Sequence, residues 1–230
     1  MIFNCAKDYN KIVLCTNGIN IKGAYNLHSR DWNLVKKNLL LKISLDTLDP
    51  NIFGKITGTG NNGKKLYNEL IANIDFANKK GFKIELNLVA TKENVRNPED
   101  ILNVFEFACK HRLVGVKVLT VNDFGGEVTF DQNKESQAHI NGIIGEVIKR
   151  LREQELEEKD VYLYDNKGIQ MRRFISVMDN DDKCTLTIVD HNNDSASITP
   201  RRTFSDFCRG CKYFLESDEV IKGSVKPCAT

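Results

Sequence analysis

FKIELNLVAT, residues 82–91, alternates apolar and polar side chains so regularly that only a strand accommodates it. Ile84, Leu86 and Leu88 fall on one face, and Glu85 and Asn87 fall on the other. Three shorter apolar runs match it: KIVLC at 11–15, LLLKISLD at 39–46 and VGVKVLTV at 114–121. Each is followed by turn chemistry or a helical pattern. Thr16-Asn17-Gly18 follows the first and Asp49-Pro50 the second. KKLYNELIANIDFANKKG places Leu66, Leu70, Ile74 and Ala77 at helical spacing and stops at Gly81. NPEDILNVFEFACKHR begins with Asn97 as N-cap and Pro98 at the first helical position, acidic in its first turn and basic in its last.

Strand and helix alternating every 30–40 residues or so predict an α/β fold built on a parallel sheet with right-handed crossovers. Four strands are too few to close a barrel, so the sequence predicts an incomplete, TIM-type β/α barrel over residues 1–133. Parallel strands are normally flanked and covered, and the apolar first strand begins near residue 11. A neighbouring strand is therefore expected from an N-terminal segment outside this sequence or from a partner chain. SQAHINGIIGEVIKRLREQELEEK reads as a charged linking helix, giving a second division at 134–159. Beyond it, strand-like segments separated by DNKG and DNDD predict hairpins in a β-rich extension, 160–230.

Composition sets outer limits on function. The chain has 230 residues, a net charge of +2 and 28% charged residues, so no strong field points to nucleic acid. No apolar run approaches the ~20 residues needed to span a bilayer, and no signal-peptide pattern follows Met1. A cytoplasmic location is expected. In a reducing compartment, clustered thiols are more often metal ligands than disulfides. Cys208, Cys211 and Cys228 form C-x2-C-x16-C, with Gly210 permitting a tight knuckle. The spacing suits zinc with a fourth Cys or His, or an iron–sulfur cluster held by three thiolates. Cys184 is a candidate fourth ligand.

Other motifs are weaker. GTGNNG at 58–63 matches the dinucleotide pattern formally, but it follows the helix-like PNIFGKIT rather than a buried strand, so a loop leading into a helix is the better reading. The four histidines show no ligand spacing, and Asp190-His191 lacks a nucleophile elbow. Polar residues gather where the strands end: Thr16 and Asn17, Ser44 and Asp46, Asn87, then Asn122 and Asp123. In β/α barrels that C-terminal rim carries the functional groups. Thr16, Asn17, Ser44 and Asn87 are taken as candidate cofactor-binding residues, and no catalytic residue is assigned.

The order LCTNGINI, ISLDTLDPNIFGKITG, GFKIELNLVATKENV and ITPRRTFSDFCRGC resembles the molybdenum cofactor biosynthesis protein A (GTP 3′,8-cyclase) family of radical S-adenosylmethionine (SAM) enzymes. The likeness runs along nearly the whole chain and is most specific at 12–60 and 198–211. It implies a partial barrel, SAM as cosubstrate, and a C-terminal auxiliary 4Fe–4S cluster with one open iron. It carries Ser44 to the SAM pocket and Cys208, Cys211 and Cys228 to the auxiliary cluster. The departures are equally specific. The family's C-x3-C-x2-C and GGEP segments are absent from this sequence, so the chain alone is not expected to cleave SAM. Where the family has a lysine two residues before the asparagine, this chain has Glu85. Tyr213 and Leu215 stand where arginines follow the C-x2-C. A triphosphate site needs such cations, so the resemblance disfavours GTP and points to a small molecule or peptide. The extension resembles the twitch and SPASM types. The rival expectation is a non-catalytic zinc or iron–sulfur structural module. A redox C-x2-C protein ranks last, because that pair wants a helix N-terminus in a βαβ unit.

Overall fold

A computed structural model describes residues 12–120, 130–162, 170–177 and 183–190. Seven strands lie in these segments: β1 (Ile12–Thr16), β2 (Leu39–Ser44), β3 (Lys83–Ala90), β4 (Gly115–Thr120), β5 (Glu157–Tyr162), β6 (Gln170–Val177) and β7 (Lys183–Asp190). The helices are α1 (Ile21–Val35), α2 (Pro50–Ile56), α3 (Gly63–Lys79), α4 (Pro98–Lys110) and α5 (Phe130–Glu153). The strands form one sheet in the order β1-β2-β3-β4-β7-β6-β5. β1 to β4 are parallel, β7 is parallel to β4, and β5 and β6 are antiparallel additions. The fold is thus mixed α/β around a sheet that is mainly parallel.

The expected helix starts are built as the caps require. The Asn97 side chain accepts from the Asp100 amide at 3.2 Å, with Pro98 as the first helical residue of α4. Asp49 does the same for α2, accepting from Asn51 at 2.7 Å and Ile52 at 3.3 Å. α1 has no such signature. It is kinked at His28, and Leu27 and Leu34 point outward, which breaks the apolar period.

One face of the sheet is apolar across β1 to β4, apart from Thr16 and Thr120 at the strand ends. Leu41 and Ile43, Ile84, Leu86 and Leu88, Val116 and Val118, and Leu186 and Ile188 are buried there with Leu70, Ile74, Ile101, Val104, Val147 and Leu151 from the helices. Each such side chain contributes about 1.5–3 kcal/mol on burial. Trp32 closes the base of this core edge-to-face on Phe82, at 5.4 Å between ring centres. The opposite face carries the alternating polar set. The register aligns Cys15, Lys42, Glu85 and Gly115 in one row, and Ser44, Asn87, Lys117 and Thr187 in the next.

Two features depart from expectation. The linking helix ends at Glu153, and residues 157–159 are strand. Glu155 adopts φ 55, and the next residues pair with Phe174 and Ile175 of β6, so sheet pairing overrides the helix propensity of this acidic run. The hairpin pattern expected after it is present as β5–β6–β7, but β7 continues the main parallel sheet through β4. Gly115 makes that junction possible. A β-carbon there would meet the backbone of Thr185.

Candidate functional site at the sheet rim

At the strand ends parallel register places Ser44 beside Asn87 on the polar face, and Thr16 beside Ile43 on the other face, where β1 gives way to its loop. The loop after β1 is shaped by its own side chains. The Gly18 amide donates to Thr16 Oγ1 at 3.1 Å and the Ile19 amide to Asn17 Oδ1 at 3.3 Å. Gly18 sits at φ 78, and a β-carbon there would lie 2.5 Å from Leu70 Cδ1 and 2.8 Å from Ile43 Cγ2. Buried Asn73 of α3 then pins the loop, donating to the Ile19 carbonyl at 2.6 Å and accepting from the Lys22 amide at 3.4 Å.

A second network ties the β2 and β3 ends. The Leu45 amide donates to the Asn87 carbonyl at 2.9 Å, and the Val89 amide donates to Asp46 Oδ1 at 2.8 Å. Buried Asn94 donates to the Asp46 carbonyl at 2.6 Å and the Val89 carbonyl at 2.9 Å. It accepts from the Thr91 amide at 2.8 Å and hydroxyl at 2.6 Å. Burial raises the Asp46 carboxyl above the usual carboxylate range, and the Val89 amide offsets part of that.

Within this frame one acceptor atom stands apart: Asn87 Oδ1 is buried with no hydrogen-bond partner among the described residues. Glu85, two residues deeper on the same face, is ion-paired with Lys42, its Oε1 2.6 Å from Nζ. Buried acceptors are normally satisfied. Thr16 and Asn17 have spent their acceptor oxygens on the loop, but the Thr16 hydroxyl and Asn17 amide hydrogens are not used in these bonds. Ser44 is exposed at the rim. Acceptor and donor groups of this kind suit a ligand with mixed polarity, such as a nucleoside.

The cysteines separate into two sets. Cys208, Cys211 and Cys228 lie outside the described residues, as do Asn122 and Asp123. Among the described residues no group of three His, Cys, Asp or Glu is arranged to hold a metal. Cys184 is buried at the start of β7, opposite the rim. Its hydrogen bond with Cys109 and its burial push its thiol well above the ordinary range. The GTGNNG segment follows α2 and turns directly into α3, with Gly63 packed against Gly54 so closely that a β-carbon would strike its Cα. Helix packing, rather than a phosphate, accounts for that glycine.

No family model matches the chain. Over 100 residues, 43% of its length, it is 37% identical to the GTP 3′,8-cyclase of Rhizobium etli. Over 99 residues it is 33% identical to that of a Synechocystis species. The chain resembles GTP 3′,8-cyclase. That is the resemblance its motifs carry. The chain spans about a quarter of the length of these cyclases, 25% and 26%. Among solved structures, Streptococcus suis SuiB aligns over 67% of this chain and 34% of its own, at 18% identity and a TM-score of 0.44. SuiB bound to the precursor peptide SuiA aligns over 67% and 33%, at 16% identity and 0.42. At that level of likeness nothing about this chain rests on either. Among the described residues no helix is long and apolar enough to cross a membrane.

Proposed function

We propose that this chain is the C-terminal portion of a radical SAM enzyme of the cytoplasm. In this reading the rim of its parallel sheet takes the SAM nucleoside, and its last cysteines take an auxiliary 4Fe–4S cluster. The observation that carries the reading is Asn87 Oδ1, a buried, unpartnered acceptor at the C-terminal end of a parallel sheet. Ligands of open α/β sheets bind at that end. Asn87 would accept from an N–H or O–H of the cofactor, and the Thr16 hydroxyl, the Asn17 amide and the Ser44 hydroxyl would meet its polar edge. Asn73 and Asn94 hold these groups in place without touching the ligand. When bound and reduced, SAM supplies radical chemistry at an unactivated C–H bond. The thiolates of Cys208, Cys211 and Cys228 would hold the auxiliary cluster and leave one iron for substrate.

The three-part division at 1–133, 134–159 and 160–230 belongs to this proposal, with β7 joining the extension to the barrel sheet. So does a covering neighbour for β1. Val13 and Leu14 are 44% and 38% exposed on this edge strand, and Leu27 and Leu34 are exposed on the helix that follows. An apolar parallel edge of this kind calls for another strand. A segment upstream in the same protein or a partner chain would supply it, along with the thiolates of the catalytic cluster.

Equilibrium dialysis of anaerobically reconstituted chain against labelled SAM tests the rim. Saturable binding, weakened about tenfold by Asn87→Ala with the unfolding midpoint preserved, is expected for loss of one buried hydrogen bond. No binding, or equal binding by the variant, would refute the assignment.

A further inference from the structure

We propose that Cys109 and Cys184 form a reversible redox site, at which exchange with a low-molecular-weight disulfide closes a bond between the end of α4 and the start of β7. The inference stands apart from the radical SAM reading and uses no residue that reading assigns to SAM or to the cluster. Cys184 is fully buried on β7, and Cys109 of α4 lies beside it with part of its surface exposed. The Cys184 thiol donates to the Cys109 sulfur. The Ser176 hydroxyl, opposite Cys184 across β6 and β7, donates to the same sulfur. The backbone is held on both sides of the pair. Arg112 adopts φ 52, and its amide donates to the Cys109 carbonyl at 2.9 Å while the Leu113 amide donates to the Ala108 carbonyl at 2.9 Å, which ends α4. The next carbonyl, that of Val114, accepts from the Thr185 amide at 3.0 Å, one residue past Cys184.

Two thiols held in contact need only side-chain rotation and a small approach to reach disulfide geometry. The pair is also asymmetric, which sets the order of events. The attacking species is a thiolate, and it must be reachable from solvent. The hydrogen bond from Cys184 lowers the Cys109 thiol below its ordinary range, with burial opposing and Ser176 helping. Cys109 therefore attacks one sulfur of the small disulfide and displaces the other as a thiolate, leaving a mixed disulfide on Cys109. Cys184 then loses its proton, and its sulfur displaces the second small thiol as the Cys109–Cys184 bond forms. The two protein thiols are oxidised by two electrons, the small disulfide is reduced to two thiols, and the two protein protons pass to them. β7 pairs with β4 on one side and β6 on the other, so the bond ties α4 to the strand where the parallel and antiparallel parts of the sheet meet. In a reducing compartment such a bond is transient, which suits a sensor rather than a permanent staple.

The test equilibrates the full 230-residue chain with reduced and oxidised glutathione at a series of ratios, then quenches with acid, alkylates and maps the peptides. A Cys109–Cys184 linked peptide should rise with the oxidised fraction and disappear on adding dithiothreitol. Oxidation should raise the urea midpoint by about 1 M, a shift lost in Cys109→Ala. Cys184→Ala, checked for cooperative unfolding in urea, should halt the exchange at its first step and leave glutathione on Cys109. The native chain decides the question even where the buried Cys184 variant fails to fold. Absence of the linked peptide at every ratio, or its formation only in urea, would overturn the proposal. So would a cooperatively folded Cys184→Ala chain that carries no glutathione on Cys109. The radical SAM reading fails separately, on SAM binding and iron content, which this mapping does not touch.

Discussion

Asn94 is the most consequential polar side chain at the rim, and its replacement gives the sharpest structural test. It is 1% exposed and makes four hydrogen bonds, two as donor to the Asp46 and Val89 carbonyls and two as acceptor from Thr91. Asn94→Ala takes the partner from two carbonyls, one amide and one hydroxyl at a buried junction. Each unsatisfied group costs about 1–3 kcal/mol, and partial access for water at a rim reduces the sum, so a loss of about 3 kcal/mol is expected. Asn94→Asp keeps both acceptor bonds but turns a carboxylate oxygen toward two carbonyls. It should cost at least as much at neutral pH. The introduced carboxyl is then favoured in its protonated form, which can donate. Its folded pKa lies above its unfolded value, so part of the loss should return below about pH 4. Urea unfolding of both variants, with amide exchange followed at Val89, reads the effect. A loss under about 1 kcal/mol for Asn94→Ala, or an Asn94→Asp variant more stable at neutral than at acid pH, would refute the clamp.

Three further expectations follow from the same frame. Gly18→Ala should cost about 2–3 kcal/mol by urea unfolding, from a positive φ and from contact with Leu70 and Ile43. Because burial raises the Asp46 carboxyl, its contribution to stability is complete below about pH 4 and is lost as pH rises through the raised folded value. Asp46→Asn should flatten that part of the stability profile, and an unchanged profile would count against the burial. In native alkylation followed by peptide mapping, Cys15 should react readily, whereas Cys184 should stay protected until urea is added.

Much of the fold was legible because its physics is local. β2 and β3 alternate or run apolar between clear turn residues, and α4 announces itself with Asn97, Pro98 and an acidic first turn. The rim residues were legible as polar residues at strand ends, but not which of them mattered. Asn73 and Asn94 carry no signal of their own, since a buried asparagine looks like any loop or helix asparagine until its partners 54 and 48 residues away are known. α1 is illegible because Leu27 and Leu34 break its period. Glu157, Glu158 and Lys159 favour helix alone and become strand only through β6. Only the sheet places Cys184 beside Cys109.

Metal analysis is the decisive measurement for the proposed iron–sulfur centre. Iron, acid-labile sulfide and zinc should be measured after anaerobic reconstitution, for the native chain and for Cys208→Ala/Cys211→Ala. The account predicts about four irons and four sulfides per chain, lost in the double variant. One tightly held zinc without sulfide would contradict it and leave a structural module in its place.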